Sequence, residues 1–598
     1  MTTTQHRTAP PTSGRRGGNR SRPRPRTTGL SWGVSSWPAV LTVLVLFVVP
    51  IVVLSVRAFT EPEPGLQNFE RLFSHSGYVE NILRTIGISA FSTFLALLIG
   101  YPIAYQMAHG SRRTRIFLTV TIMAPYLTSI LLRSFSWLVI LGQQGVVNEV
   151  LGAAGLGPLS MVFTPIAVVV SLTHYLLPLM ILPLAATMRS VDTSRLQAAT
   201  SLGAGPAQAF VRVYLPLTKP GIQAGSVLCF VYGIGAFVIP ALLGGSDGSM
   251  LGSLIHSAIS QSGDYGLASA AALVLAVLVL AIIVVFQRVT GMSTTEIAGR
   301  GDLGGGRKPR TRRWGYGRLT RVAGSAAGVL DRLGISRVRR LPVLAAVTLG
   351  TLVLAPQIIV IPISFAATKA LVFPPVGYST QWYTEFFTSS WLDPLTVSVR
   401  VAVITTIFAV ILGTLAAMGV VRGANQKWGA TTSTLMMLPL LFPTVVAAAG
   451  FYIVFDRFGL VDTEAGIILA HITIAIPFAF SVVTAGLRSL NPAYERAAAS
   501  LGASKFVQLR RIVAPLIAPS IATGALFSLL ISFDESTIAI FLSGVRVKTL
   551  PRRIFEALSL ETNPTVAVIS VFVMACALVA WLAIVVTRRT MTRSSRRS

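Results

Sequence analysis

Asp534 and Glu535 are adjacent carboxylates inside an otherwise apolar stretch, 518–542. An ionisable side chain at the centre of a bilayer costs about 2.5–3.5 kcal/mol on insertion scales, so two in succession point to a cavity or a cationic partner. Counted from Pro519, Asp534 stands about 22 Å along a helix that rises about 1.5 Å per residue. The positions 299 residues earlier are Gly235 and Ala236. One half of the chain thus offers negative charge and the other offers room, which suits an elongated cation passing between them. Asp534, Glu535 and Gly235 are the candidate translocation-path residues. The plainer readings are that the acidic pair caps a helix, bonds to nearby backbone, or pairs with Arg546 or Arg552.

The second pattern is written twice. Gln197-Ala198-Ala199-Thr200-Ser201-Leu202-Gly203 is followed by nine residues and then Val213-Tyr214-Leu215-Pro216. Arg496-Ala497-Ala498-Ala499-Ser500-Leu501-Gly502 is followed by nine residues and then Ile512-Val513-Ala514-Pro515. The alanines favour a short helix, each glycine permits a turn that a bulkier residue makes at a cost, and each proline closes the segment before the next apolar stretch. The spacing predicts helix, turn, helix at one membrane face. One copy could be an ordinary interhelical loop; two at fixed spacing suggest equivalent docking points for a soluble partner.

The elements that must carry these residues are membrane helices. The chain has 598 residues, 53% of them hydrophobic and 12% charged, too little charge to cover a soluble protein of this size. Apolar runs of about 20 residues match a hydrocarbon core about 30 Å thick. Twelve spans are predicted: 37–57, 82–108, 115–141, 161–188, 220–243 and 267–287, then 341–366, 394–421, 429–455, 465–487, 518–542 and 565–587. The fold class is an all-α polytopic membrane protein with twelve transmembrane helices in two parallel six-helix repeats, since an even number of spans separates equivalent positions. Outside the cassettes the repeat continues through Pro178 and Pro477, Arg189 and Arg488, and Gly245 and Gly544. The expected organisation is a basic tail (1–36), a first half (37–287), a basic linker (288–340), a second half (341–587) and a basic tail (588–598).

A formal net charge of +29 could suggest nucleic acid, but the distribution speaks for a membrane. Arginines gather in both tails, the linker and the short loops at Arg112, Arg113, Arg115 and Arg422, which all fall on one side when twelve spans are threaded in order. That asymmetry places both termini in the cytoplasm, with lipid as a partner of the basic segments. The 544–564 loop, with Arg546, Lys548, Arg552 and Arg553, runs against the trend. Cys229 and Cys576 fall within spans and imply no disulfide or thiolate site. His174 and His471 lack a partner at metal-binding spacing and read as buried polar contacts. The sequence contains no phosphate loop of the Gly-x-x-x-x-Gly-Lys-Ser/Thr kind, so no catalytic residue, metal or cofactor is expected in this chain.

The cassettes resemble the EAA motif of the membrane subunits of type I ABC importers: Glu-Ala-Ala, three residues, Gly, nine residues, Ile, one residue, Leu-Pro. Gln197 and Arg496 replace the Glu, although Glu495 stands one position earlier, and Ala514 replaces the Leu. The resemblance implies that Gln197, Ala198, Ala199, Gly203 and Pro216, with Arg496, Ala497, Ala498, Gly502 and Pro515, couple the membrane part to a separate ABC ATPase dimer that binds ATP. It also implies an extracytoplasmic substrate-binding protein. Phe237-Val238-Ile239-Pro240 and Leu131-Leu132-Arg133-Ser134 are similar to the first permease subunit of spermidine/putrescine importers. Ser532-Phe533-Asp534-Glu535 and Thr549-Leu550-Pro551 are similar to the second. A polyamine is the substrate implied, with 2-aminoethylphosphonate, ferric iron or thiamine as alternatives. A self-contained ion-coupled transporter is the competing class, and a scaffold that uses the basic tails is a third.

Overall fold

The computed structural model describes residues 32–126, 128–290, 341–561 and 563–576. Residues 1–31 of the predicted basic tail, 291–340 of the linker, the end of the last span and the second tail lie outside these, whereas 32–36 and 288–290 are helical. In the first half the principal helices are α1 (Gly33–Thr60), α2 (Ser76–His109), α3 (Arg112–Tyr126), α4 (Ile130–Leu141), α5 (Pro165–Arg189), α6 (Ser194–Ser201), α7 (Lys219–Ile234), α8 (Val238–Leu243), α9 (Leu251–Ser260) and α10 (Tyr265–Thr290). In the second they are α11 (Leu341–Ile363), α12 (Ser389–Arg422), α13 (Gln426–Met437), α14 (Thr444–Arg457), α15 (Glu464–Ser489), α16 (Ala493–Ser500), α17 (Ala514–Asp534), α18 (Thr537–Leu542), α19 (Leu550–Glu556) and α20 (Thr565–Cys576). Among the described residues nine helices are individually long and apolar enough to cross a membrane, and a bent pair, Gln426–Leu440 with Thr444–Arg457, makes a tenth. The pair α7–α8 and the described part of α20 account for the other two of the twelve.

Four spans drawn as continuous in the sequence are broken, in matching places. The stretch 115–141 divides between α3 and α4, and 429–455 bends by 93° between α13 and α14. Pro443 stands at the second break; at the first, Ser129 is extended and its Oγ accepts the Leu131 N–H at 3.4 Å, starting a new helix. The stretches 220–243 and 518–542 break after Ile234 and Asp534. Hydropathy cannot register such breaks, because the residues on both sides are equally apolar.

Each half is built on three tightly crossed helices: α2, α5 and α7, or α12, α15 and α17. Small residues set the distance, as expected where no water drives helices together. A Cβ on Gly225 would lie 2.7 Å from Met180 Sδ, and one on Gly413 would lie 2.8 Å from the backbone nitrogen of Phe480. The first helix of each half leaves these bundles and packs on the other half. α1 lies on α12 and α14, and α11 lies on α2, α3 and α4. Trp428 Nε1 donates to Ser36 Oγ at 2.9 Å and its ring stacks on Trp37 at 4.7 Å, while His174 Nε2 meets the Val353 carbonyl at 2.9 Å. Leu41, Val45, Val49, Val52 and Val56 form an exposed stripe along the outer face of α1, the face for lipid.

At the opposite end from the cassettes, the loops before α5 and α15 match again. Phe163 and Asp462 both have positive φ, 64° and 59°. Gly245 abuts the Phe163 backbone and Gly544 abuts the Asp462 carboxylate, so a Cβ at either would clash at 2.7 Å or less. The Asp462 carboxylate accepts N–H bonds from Gly544, Val545, Arg546 and Val547 at 2.8–3.1 Å. Burial acts to raise its pKa, but those backbone donors and the Arg546 charge outweigh it and hold the carboxyl below its usual range.

Candidate functional site

The two cassettes adopt one conformation. α6 ends when Gly203 takes φ +88°, and α16 ends when Gly502 takes φ +82°. In the first, the Leu202, Gly203 and Ala204 amides bond to the carbonyls of Ala198, Thr200 and Ala199; in the second, Leu501, Gly502 and Ala503 bond to Ala497, Ala499 and Ala498. Such left-handed glycine caps satisfy the last carbonyls of a helix. No atom stands within 4 Å of a Cβ added to either glycine, so its conformation alone selects glycine there. The helix after each turn runs into a five-residue π-type stretch, Phe210–Tyr214 or Leu509–Val513. Pro216 and Pro515 follow in the first turn of the next helix rather than closing the segment, as the sequence reading had it. Proline lacks the N–H that an interior helical residue would donate, and the wider turn before it takes up the mismatch.

Leu202 and Leu501 are each 88% exposed at the tips of these turns. The sequence reading passed over them as part of the cassette. Their signal was an apolar residue before the turn glycine, at the same offset in both copies. Gln197 and Arg496 stand on α6 and α16, with Ala198, Ala199, Ala497 and Ala498 on the following turn.

The anchoring of the cassettes differs. Glu495 pairs with Arg422 at the end of α12 at 2.7 Å, and Arg422 also reaches the Leu487 carbonyl. The glutamate one position before Arg496 is therefore engaged inside the chain. The first cassette is held by His109 Nε2 on the Tyr214 hydroxyl at 2.7 Å and by Arg189 on the Met107 carbonyl at 3.2 Å. Just before α6, the side chain and amide of Ser194 hydrogen-bond to Asp192 and hold its carboxyl below the usual range.

The structure brings Asp534, Glu535 and Gly235 together on one cavity of about 180 Å³ between the halves. Its walls come from the broken helices: α7–α8 and α17–α18 face the α13–α14 bend, with Tyr175, Tyr232, Phe442 and Phe478 among the lining side chains. The two carboxylates are not equivalent. Glu535 Oε1 accepts the Ile538 N–H at 3.1 Å and so caps α18, which is the helix-cap reading of that residue. Asp534 ends α17, and its Oδ1 is buried with no hydrogen-bonding partner among the described residues. Neither pairs with the arginines considered above. Arg546 lies on Asp462 at 3.5 Å, and Arg552 bonds to Glu556 and the Ile540 carbonyl at 2.9 and 3.0 Å.

Gly235 contributes contact rather than empty room. A Cβ there would lie 2.8 Å from Pro443 Cβ, so the glycine lets the end of α7 close against the bend of the other half. His174 and His471 are buried with one hydrogen bond each, His471 to Ser532 Oγ at 3.0 Å. No group of three or more metal-binding side chains occurs among the described residues.

Residues 93–295 and 409–597 each match the family model described as "Binding-protein-dependent transport system inner membrane component". The chain is 34% identical over 234 residues to the spermidine/putrescine transport system permease protein PotB of Haemophilus influenzae, covering 39% of this chain and 82% of that one. It is 28% identical over 231 residues to the putrescine transport system permease protein PotI of Escherichia coli, covering 38% and 82%. Among solved structures, a bacterial ABC transporter that imports the acidic polysaccharide alginate aligns over 42% of this chain and 91% of its own, at 21% identity and a TM-score of 0.38. The chain belongs to the binding-protein-dependent transport system inner membrane components and carries two copies of the family's domain in one multi-pass inner membrane protein.

Proposed function

We propose that this chain is the membrane-spanning permease of an ABC importer that carries polyamines such as spermidine or putrescine into the cytoplasm. The observation that carries this reading is the cavity between the halves, where the Asp534 carboxylate, with one oxygen unpartnered among the described residues, stands among tyrosine and phenylalanine rings. Carboxylate and aromatic faces together attract ammonium groups. The relatives named for spermidine and putrescine transport agree with that chemistry.

Energy enters from a separate ATPase dimer, which binds the ATP; this chain is the transport subunit and holds no cofactor. The twin cassettes offer that dimer two equal grips, with Leu202 and Leu501 as apolar tips and Gly203 and Gly502 as rigid turns. Both termini and both cassettes face the cytoplasm. A substrate-binding protein delivers the polyamine at the opposite face, near the loop that Asp462 gathers.

The test is uptake of labelled putrescine and spermidine in cells lacking this chain, with and without its restoration, against excess 2-aminoethylphosphonate, thiamine and ferric iron. Restored polyamine uptake that survives the competitors is the expected result. No polyamine uptake, with the binding protein and ATPase present, would refute the substrate and pass it to one of those competitors.

A further inference from the structure

Arg133 is a buried cation on α4, 4% exposed, and its Nε and Nη1 have no hydrogen-bonding partner among the described residues. A guanidinium keeps its charge in any protein environment, so a membrane interior must balance it. Its flat face lies over the Tyr175 ring at 4.7 Å, and Tyr175 lines the cavity between the halves. One turn earlier on α4, Ile130 lines the same cavity, and Ser129 is hydrogen-bonded to the Asp534 carboxylate. The guanidinium and the Asp534 carboxylate are within Coulombic reach, yet no ion pair joins them in this conformation. On its other side Arg133 faces a void of about 10 Å³, which is at the lower limit for a single water. A buried cation and a buried carboxylate that share no ion pair therefore stand on opposite halves, the carboxylate on the cavity wall and the guanidinium against Tyr175, a residue of that wall.

We propose that Arg133 is the internal counter-ion of Asp534: its guanidinium balances the carboxylate while the cavity is empty, and an entering ammonium group takes its place. Arg133 is then a specificity-determining residue of the path. A substrate must bring positive charge to win Asp534, and once it has left the Arg133 charge again balances the carboxylate without direct contact. This rests on the reading of the cavity as a path for organic cations.

The test uses the full chain, purified in detergent, in a cycle of Arg133→Gln, Asp534→Asn and the double variant. The midpoint of thermal unfolding is followed with and without spermidine. Without spermidine, each single variant lowers the midpoint and the double variant lowers it by less than the sum, because removing both charges leaves neither uncompensated. Additive losses would overturn the pairing. If Arg133→Gln alone does not fold, the double variant is expected to fold; failure of both would count against the pair.

With spermidine, Arg133→Gln reaches half-maximal stabilisation at a concentration at least about fivefold lower than the wild type. Arg133→Lys, which keeps the charge, stays near the wild-type value, and Asp534→Asn loses the stabilisation. An unchanged or higher concentration for Arg133→Gln would overturn the competition. If spermidine fails to stabilise even the wild type, the polyamine reading falls, and the spermidine-free cycle still decides the pair.

Discussion

At the level of single residues, the same chemical group does different work according to what it faces. Glu535 and Asp534 are neighbours, but one spends its charge on a helix cap and the other leaves an oxygen unpaired on a cavity. Asp462 shows a third use, collecting four backbone amides of one loop. Its folded-state pKa is lowered, so its contribution is present above the unfolded value of about 3.9 and is lost as pH falls through the lower folded value. Asp462→Asn should therefore reduce hydrogen-exchange protection of the 544–547 amides, corrected for intrinsic rates, at pH 5 to 8. The difference from the wild type should close below about pH 4. Equal protection at neutral pH would show that the carboxylate does not hold the loop.

The sequence singled out Asp534 and Glu535, because charge inside an apolar run is visible from composition alone. It could not divide their roles, since that depends on where α17 stops. Gly235 was legible as the counterpart of Asp534 but not as a contact, because Pro443, the residue it makes room for, lies in the other half. Arg133 was read only as one residue of a resembling motif; its burial over Tyr175 arises from packing between α4 and α5.

At the level of elements, the cassette is the clearest case in which spacing dictated shape. Alanines before a glycine with open space around it, and a proline at fixed distance after it, gave the same cap and the same π-type stretch twice. What spacing did not reveal was the exposed tip. Seating one Leu side chain in a partner's apolar pocket is worth about 1.5–3 kcal/mol. Leu202→Ser and Leu501→Ser should each weaken ATPase association by about 10- to 100-fold and leave the unfolding midpoint of the isolated chain unchanged. Pull-down of the ATPase at graded concentrations checks this, and undiminished association of both variants would remove the tips from the interface. The broken spans are the opposite case. Hydropathy ran straight through the α3–α4, α7–α8, α13–α14 and α17–α18 breaks, yet these breaks build the cavity walls.

At the level of the whole molecule, covalent order and packing order differ. Each half of the chain sends its first helix to the other half, so α1 and α11 tie together two bundles that a linker joins in sequence. The parallel repeat was legible from the even number of spans. The exchange was not, because one apolar helix fits either bundle by composition and only close contacts such as Gly350 on Leu118 and Trp428 on Ser36 fix the choice. Two halves clasped in this way give one cavity with unlike walls, the acidic residue on one side and, on the other, a tyrosine backed by the stacked guanidinium.

The central claim is that this chain moves a polyamine only when a separate ATPase drives both cassettes. The most direct test is accumulation of labelled spermidine in proteoliposomes that hold the full chain, its ATPase and its binding protein. The account predicts accumulation that needs ATP on the cassette side and persists when proton and sodium gradients are collapsed. Accumulation without ATP that vanishes with those gradients would contradict it and make the chain an ion-coupled transporter.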